Sequence, residues 1–295
     1  MIGWLTALLP VWAQRPATGA AAVLQRFTAH QGSVLCGYIA YAAMLSGMPF
    51  LIFATALAGH LVGEGTSTQA VEALFQAVPE HVARTLEPVL QEILGERRGG
   101  ILTLSAVGTV WAASNGVEAI RVALDRAYLV EKPRHFLWRR LLAIGFVFIG
   151  FVTFVALALL IILAPLVRQA VEAFTTIAVP VGTEIARYAV GACLLFAFFW
   201  VLHRLLPSRA MRGVRLWPGI VTSVVIWVAI ASGLSIYLAY SSTYAVTYGA
   251  LAGVIVTLLF FYLTGAAIIL GAEVNAVVNG IGDEDLAAES GPTLL

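Results

Sequence analysis

The chain has 295 residues, of which 60% are hydrophobic and only 11% are Asp, Glu, Lys or Arg. A soluble globular protein is about 25% charged. This chain therefore has too little polar surface to cover a water-soluble body, and its composition predicts an integral membrane protein. The formal net charge of +1 gives no indication of an acidic partner. Cys36 and Cys193 lie in apolar runs and are typical of packed thiols rather than of a disulfide or a metal site.

Apolar runs between charged residues predict six membrane-spanning helices, because one crossing needs about 20 residues. The predicted spans cover residues 33–62, 100–117, 141–167, 187–206, 217–239 and 249–273. The uncharged stretch 216–272 holds the last two spans, with a break at the turn-prone residues 240–249. The predicted fold is an all-α bundle of six transmembrane helices. It forms one domain over residues 1–282, followed by an acidic, disordered tail at 283–295.

The distribution of basic residues predicts the orientation. Twelve of the 17 Lys and Arg residues fall in segments that share one side of the membrane, and five fall in the opposite segments. Cytoplasmic segments carry an excess of Lys and Arg, so we expect both termini in the cytoplasm. The apolar residues 1–16 lack the basic start and the cleavage site of a signal peptide, and we expect them to be a retained interfacial segment.

Two features interrupt the regular pattern in the first third of the chain. Ser46, Gly47 and Pro49 fall near the middle of the first span, where a proline removes one backbone donor. This pattern indicates either a plain kink or a helix defect that contacts a substrate. In segment 67–98, apolar residues recur at helical spacing, which predicts short amphipathic helices on the external side. These helices would form a cap over the spans, or a lid or lipid-facing element.

Small residues at four-residue spacing predict close helix contacts in two spans. They are Gly108, Ala112 and Gly116 in the second span, and Gly249 and Gly253 at the start of the sixth. Such faces favour tight packing, because backbones approach closely where side chains are small. The contact could lie within the chain or between protomers, which leaves a homo-oligomer open.

Three ordered motifs resemble those of the YihY/BrkB family of bacterial inner-membrane proteins. "AYAAMLSGMPFL" (40–51) is similar to the first-span motif through Tyr41, Ser46 and Pro49. "LPSRAMRGVRLWPGIVTSVVIWVAIASGLSIYL" and "YGALAGVIVTLLFFYLTGAAIILGAEVNA" resemble the regions of the last two spans. The resemblance covers residues 25 to 280. It implies a six-span protein of envelope integrity, some members of which are implicated in moving lipids or small solutes.

The segment "RVALDRAYLVEKPRHFLWRRLLAI" also fits this family, with one departure. Asp125 stands where we expect Asn in many members, which puts a role for that Asn in doubt here. The family long carried the name ribonuclease BN, but the five His residues are scattered and unpaired in sequence. Metal-assisted hydrolysis needs a cluster of ligands, and RNA binding needs a basic, aromatic-rich surface. We therefore expect no enzyme, no cofactor, no metal site and no nucleic-acid partner.

Glu273 ends a run of 57 uncharged residues, 216 to 272. A charge deep in hydrocarbon is costly and usually marks function, so its depth matters. A helix from Gly249 rises about 36 Å before it reaches Glu273, against a hydrocarbon core of about 30 Å. We therefore expect the carboxylate at the cytoplasmic edge, either as a structural anchor or as a substrate or proton site. The predicted partners are Arg121, Arg126, Arg209 or Arg212.

Further polar side chains lie near the same edge. Asn275 and Asn279 share one helix face and predict an inter-helix hydrogen-bond network. Glu118, Arg121 and Asp125 form a charge ladder beyond the second span, which is either structural or, if it faces Glu273, a polar cluster at the mouth of a cavity. The hypothetical substrate path or polar cluster comprises Tyr41, Ser46, Pro49, Glu118, Arg121, Asp125, Glu273, Asn275 and Asn279.

Two functions from different classes follow from these patterns. The first is translocation of a lipid, or of a small amphipathic or polar solute, without ATP hydrolysis by this chain, which lacks a GxxxxGK[ST] phosphate-binding loop. Its partners would be membrane lipids. The second is a non-transporting envelope scaffold that acts through protein contacts and has no continuous cavity.

Overall fold

The structure is a computed structural model, and it describes residues 11–62, 101–174, 182–209, 211–240 and 250–282. These residues form seven helices. The helices are α1 Val11–Ala29, α2 Gly32–Val62, α3 Ile101–Ala127, α4 Phe136–Phe174, α5 Gly182–Leu205, α6 Trp217–Tyr240 and α7 Ala250–Val278. The all-α class predicted from the composition is confirmed. The amphipathic helices predicted at 67–98 and the acidic tail at 283–295 lie outside the described residues.

Four helices within the described residues are long and apolar enough to cross a membrane. They comprise Phe136–Leu160, Ala186–Leu205, Trp217–Leu238 and Gly253–Val278. Gly32–Gly47 in α2 forms a shorter apolar stretch. The helix α3 combines an apolar first part with a charged second part that holds Glu118, Arg121 and Asp125. The structure thus shows a membrane protein with several apolar helices, and the count of six spans stays a prediction.

The helix α7 occupies the centre of the bundle and packs against α1, α2, α3 and α6. Its buried face carries small and branched apolar residues together with two polar ones. The buried residues are Ala267, Ile268, Ile269, Ala272, Glu273, Asn275 and Ala276. Four neighbours can surround one helix only where its side chains are small, and this requirement explains the Gly- and Ala-rich sequence of α7.

The closest helix contact joins α6 to α7 at Gly219, Ser223 and Gly271. A Cβ atom at Gly271 would overlap the Ser223 hydroxyl and would lie 2.5 Å from the backbone oxygen of Gly219. Ser223 Oγ donates a hydrogen bond of 3.0 Å to the backbone oxygen of Ala267. The two backbones are therefore in direct contact, and the hydroxyl is satisfied by the neighbouring helix.

The small-residue contact predicted for the second span is present at Gly116. A Cβ there would lie 3.3 Å from the Ser46 side chain of α2, whose hydroxyl donates to the Ala112 backbone oxygen at 3.1 Å. Among the described residues, no atom comes within 4 Å of the equivalent position at Gly108 or Gly253. At Gly108 and Gly253 the described residues therefore show no close helix contact, and packing there, within the chain or between protomers, stays a prediction. Gly249 lies outside the described residues.

We predict that Gly271→Ala destabilises the bundle, because its methyl group would overlap the Ser223 hydroxyl and crowd the Gly219 backbone oxygen, which cannot move aside without shifting α6. Overpacking of this kind costs about 1–3 kcal/mol, so thermal unfolding in detergent should start several degrees lower. Gly233→Ala in α6 is the control, since a Cβ there meets no described atom within 4 Å. Equal melting temperatures for the two variants would contradict the close contact.

Candidate functional site

Glu273 is fully buried and holds two basic partners from the α1–α2 region. The Nε atom of Arg26 donates to Glu273 Oε2 at 2.9 Å, and Nδ1 of His30 lies 2.6 Å from Oε1. The predicted partners, Arg121, Arg126, Arg209 and Arg212, were wrong. Arg26 was missed because the sequence places it 247 residues away from Glu273, and only the packing of α1 against α7 brings them together.

Arg26 also donates hydrogen bonds to backbone carbonyl oxygens of two further segments. Its Nη1 atom donates to the Ile281 backbone oxygen at 2.7 Å, and Nη2 donates to the Ala127 backbone oxygen at 3.3 Å. Ala127 ends α3 and Ile281 follows α7, where backbone carbonyls lack partners within their own helix and carry partial negative charge. One guanidinium, only 2% exposed, therefore joins α1 to the ends of α3 and α7.

The turn after α7 leaves space for the Arg26 guanidinium. Gly282 has a φ of +83°, a conformation that favours glycine. A Cβ at this position would lie 3.3 Å from Arg26 Nη1 and would clash with the Leu129 side chain. The backbone of residues 280–282 therefore approaches Arg26 closely enough for the Ile281 carbonyl to reach it.

His30 lies between Glu273 and a surface cleft. Its side chain is 15% exposed, and it belongs to the two-residue turn between α1 and α2, where Gln31 has a φ of 58°. Nothing in the sequence indicated that His30 contacts Glu273. His203 is fully buried, with Nδ1 3.0 Å from the Phe199 backbone oxygen and the Tyr128 ring beside it.

The charge ladder of α3 forms a second polar group. Arg121 makes a two-pronged contact with Glu118, with Nε to Oε2 at 2.9 Å and Nη2 to Oε1 at 2.7 Å. Its Nη1 atom pairs with Asp125. Burial alone would lower the pKa of the Arg121 guanidinium, but the hydrogen bonds and charges of Glu118 and Asp125 raise it above the ordinary value. Arg121 is thus a permanently charged residue with its partners in place.

Asp125 holds the loop between α5 and α6. Its Oδ1 atom accepts from the Ser208 backbone nitrogen at 2.6 Å, and Oδ2 accepts from the Ser208 hydroxyl at 2.8 Å. The same loop buries Leu206, Met211 and Leu216 in the main apolar core. The ladder therefore does more than satisfy its own charges, because it positions a loop more than 80 residues away.

A cleft of about 770 Å³ brings the two polar groups to one surface. The turn between α1 and α2 forms one wall, and the end of α3 with the following loop forms the other. The lining residues are His30, Gln31, Leu35, Arg121, Val122, Asp125, Arg126, Leu129, Val130, Glu131, Pro133 and Arg139. His30, which contacts Glu273, therefore lines the same cleft as Arg121 and Asp125 of the ladder. A polar cluster at the mouth of a cavity stays a prediction.

Asn275 and Asn279 connect α7 to the start of α6. The Gly219 backbone nitrogen donates to Asn275 Oδ1 at 2.8 Å, and Asn275 Nδ2 donates to the Tyr128 hydroxyl at 3.2 Å. Asn279 exchanges hydrogen bonds with the Arg215 backbone, at 2.8 Å from its nitrogen and 3.0 Å to its oxygen. Asn275 thus satisfies a helix N-terminal nitrogen that has no partner within its own helix. Burial raises the pKa of Tyr128, which keeps its hydroxyl neutral.

Tyr41, Ser46 and Pro49 lie away from this cleft. Ser46 is 6% exposed and its hydroxyl is used in the contact with α3, whereas Tyr41 is 62% exposed on the outside of α2. The helix α2 continues through Pro49 to Val62. None of the three lines the cleft. The structure therefore separates the predicted path residues into a packed α2–α3 contact and the polar groups around the cleft.

A scan against protein families matches residues 23–291 to the family model described as Virulence factor BrkB. The match covers most of the chain. The chain belongs to the BrkB family. Membership agrees with the resemblance carried by the three sequence motifs, and it places the Glu273 cluster and the charge ladder inside the region shared with the family.

Curated relatives of this BrkB-family chain span nearly its full length. It is 30% identical to the putative ribonuclease-like protein YfkH of Bacillus subtilis, over 87% of this chain and 94% of that protein. It is 23% identical to a UPF0761 membrane protein of Pseudoalteromonas translucida, over 86% and 84% of the two chains. It is 25% identical to a UPF0761 membrane protein of Aeromonas salmonicida, over 86% of each. No solved structure gave a significant match.

We predict that Arg26 and Glu273 are strongly coupled in stability. Removing one partner of a buried ion pair leaves an uncompensated charge and costs about 3–5 kcal/mol, whereas replacing both with apolar residues is far less harmful. Arg26→Met and Glu273→Leu should each lower the melting temperature, and the double variant should recover part of the loss. Thermal unfolding of the four proteins of this cycle measures the coupling, and strictly additive losses would contradict it.

Glu273→Gln tests whether the Glu273 side chain is an anchor or a carrier. As an anchor, Glu273 loses its charge-assisted bond to Arg26 and the protein loses stability. As a carrier, it would keep its fold and lose only transport. We expect the first result, with Glu131→Gln as a control because Glu131 is exposed. An unchanged melting temperature for Glu273→Gln would exclude an anchoring role.

We predict that Asp125→Ala loosens the loop at 206–216 more than Asp125→Asn does. An Asn oxygen can still accept from the Ser208 backbone nitrogen, whereas Ala leaves that nitrogen and Arg121 without this partner. An unsatisfied buried group costs about 1–3 kcal/mol. Hydrogen exchange measured by mass spectrometry should show faster exchange in this loop for the Ala variant. Similar exchange in both variants would show that Asp125 does not hold the loop.

Proposed function

We propose that this BrkB-family protein moves a lipid, or a small amphipathic or polar solute, across the bacterial inner membrane without hydrolysing ATP itself. The observation that supports this proposal is the cleft of about 770 Å³, which combines charged and apolar walls at one end of an apolar bundle. Ligand sites of this kind are mainly apolar, with a few placed polar groups. In this proposal both termini are cytoplasmic, and the cleft faces the cytoplasm.

The lining of the cleft suits a ligand with a charged head and an apolar body. Arg126 is exposed and supplies a cation, while Asp125 and Glu131 supply carboxylates. Leu35, Val122, Leu129 and Val130 form the apolar part of the wall. Because Arg121 already pairs with Glu118 and Asp125, it contributes a fixed dipole rather than a free charge. Binding of a headgroup therefore falls to Arg126 and Glu131, with no catalytic step proposed.

The second candidate function is the non-transporting envelope scaffold. It is favoured by the tight backbone contact at Gly219 and Gly271, and by the use of the Ser46 hydroxyl in the α2–α3 contact. These contacts bring α6 against α7 and α2 against α3, with little space at those two points. A scaffold would use the cleft to bind a segment of another protein, and it would transport no lipid or solute.

Flux through proteoliposomes distinguishes the two functions. We expect purified protein to raise phospholipid scrambling or solute efflux above that of empty vesicles. Val122→Trp fills the cleft and should remove most of this activity, by about fivefold or more, if the route passes through the cleft. Val225→Trp is the matched control, because Val225 is 61% exposed on α6. No activity with several lipids and with a pH gradient would overturn transport and leave the scaffold.

A further inference from the structure

A second concave surface lies between the start of α4 and the end of α5. It is a groove of about 460 Å³, lined by Arg134, His135, Trp138, Leu142 and Leu205. Its floor is apolar, and its two polar residues come from the loop that precedes α4. Neither the cleft nor the Glu273 cluster shares a lining residue with it.

The groove opens where α4 begins its apolar span at Phe136. Three consecutive large side chains there are exposed: Phe136 by 55%, Leu137 by 67% and Trp138 by 63%. In a membrane protein, Trp side chains concentrate at the boundary between headgroups and hydrocarbon. The groove therefore lies at that boundary, with its apolar floor toward the hydrocarbon and its polar end toward the headgroups.

The charge around the groove is strongly basic. The two segments that contribute its lining residues, 131–142 and 200–209, contain a single acid, Glu131, which lines the cleft instead. The basic residues of these segments are Lys132, Arg134, Arg139, Arg140, Arg204 and Arg209. Arg139 is engaged by Glu118, and Arg140 lies over the Trp111 ring and bonds to Asn115. The remaining positive charge at the groove favours an anionic ligand.

Arg134 is placed to hold such a ligand. Its Nη1 atom donates to the Leu205 backbone oxygen at 2.9 Å, which fixes the guanidinium across the groove from α4 to α5. A guanidinium has five N–H donors, so this bond leaves most of them for a second acceptor. Phosphate oxygens suit this fork of donors better than a single carbonyl does.

We propose that this groove binds one anionic phospholipid of the surrounding leaflet. Its phosphate would lie at Arg134, with Lys132 adding charge, and one acyl chain would lie along Trp138, Leu142 and Leu205. Basic residues between transmembrane helices attract anionic headgroups in this way. The site does not depend on transport, and it holds equally for a translocator or a scaffold.

Quenching of Trp138 fluorescence by brominated lipids tests the site directly. The protein is reconstituted in vesicles of brominated phosphatidylglycerol or of brominated phosphatidylcholine. The difference from Trp138→Phe isolates the signal of this tryptophan. We expect stronger quenching by the anionic lipid. Arg134→Gln should reduce the preference about fivefold, the factor that one interfacial basic residue supplies, and Arg134→Lys should keep part of it.

Arg212→Gln is the matched control, because Arg212 is exposed in the loop between α5 and α6 and does not line the groove. It removes the same charge from the same chain, so an equal loss for both variants would indicate general attraction and overturn the site. A folded Arg134→Gln protein with an unchanged preference would also overturn it. The preference should be lost in Arg134→Gln alone.

The apolar half of the groove has its own pair of variants. Leu142→Phe narrows the floor and should weaken quenching by both lipids, whereas the neighbouring Leu141, which is 60% exposed, should tolerate Phe. This pair decides the proposal even if Arg134→Gln fails to fold. Equal quenching in Leu142→Phe and Leu141→Phe would show that no acyl chain occupies the groove.

Discussion

One buried guanidinium holds the polar end of the structure together. Arg26 reaches the Glu273 carboxylate of α7, the last carbonyl of α3 and the carbonyl of Ile281 beyond α7. Each contact satisfies a group that would be costly to bury alone. Because Arg26 is 2% exposed and Glu273 is fully buried, neither can turn to water without moving α1 away from the bundle. The attachment of α1, the turn at Gly282 and the position of His30 all depend on this interaction.

The central position of α7 makes this interaction possible. Gly271 lets α6 approach to backbone contact, and Gly265 lets α2 approach, with the Cα atom of Cys36 3.3 Å from the position of a Cβ. Once those neighbours are close, the side chains of Glu273 and Asn275 have no contact with solvent and are satisfied by protein partners. Asn275 accepts a hydrogen bond from the Gly219 nitrogen at the start of α6 and donates one to the Tyr128 hydroxyl. Glu273 contacts Arg26 and His30. Close packing and the polar contacts thus support each other.

The loop after α3 links the two surfaces assigned to ligands. Glu131 and Pro133 line the cleft beside His30, whereas Arg134 and His135 line the groove between α4 and α5. A lipid held in the groove would therefore lie next to the wall of the cleft. In a BrkB-family membrane protein, this loop thus connects the proposed lipid groove to the cleft that His30, Arg121 and Asp125 line. Arg121 and Asp125 stabilise this region, because both form hydrogen bonds with Ser208 and so hold the loop after α5 against α3.

The sequence by itself determined the membrane class and the all-α fold, because apolar composition and charge spacing are local properties. It did not predict the helix α1, Val11–Ala29, which carries Arg26. The sequence also indicated that Glu273, Asn275 and the Glu118–Asp125 ladder were important, since a polar residue next to a long apolar run is conspicuous. The ladder partners were predictable, as Arg121 meets Glu118 and Asp125 at helical spacings of three and four residues.

Only the tertiary structure decided which distant residues meet. Arg26 was one of several arginines near the predicted cytoplasmic edge, and nothing in its neighbours distinguishes it from Arg121 or Arg209. Three other features could not be predicted from the sequence, because each depends on which helices are adjacent. They are the contact of Gly219 with Gly271, the burial of His203 and the hydrogen bond of the Ser46 hydroxyl to α3. Spacing along one helix specifies the face on which a side chain lies, whereas its partner is set by the packing of helices far apart in sequence.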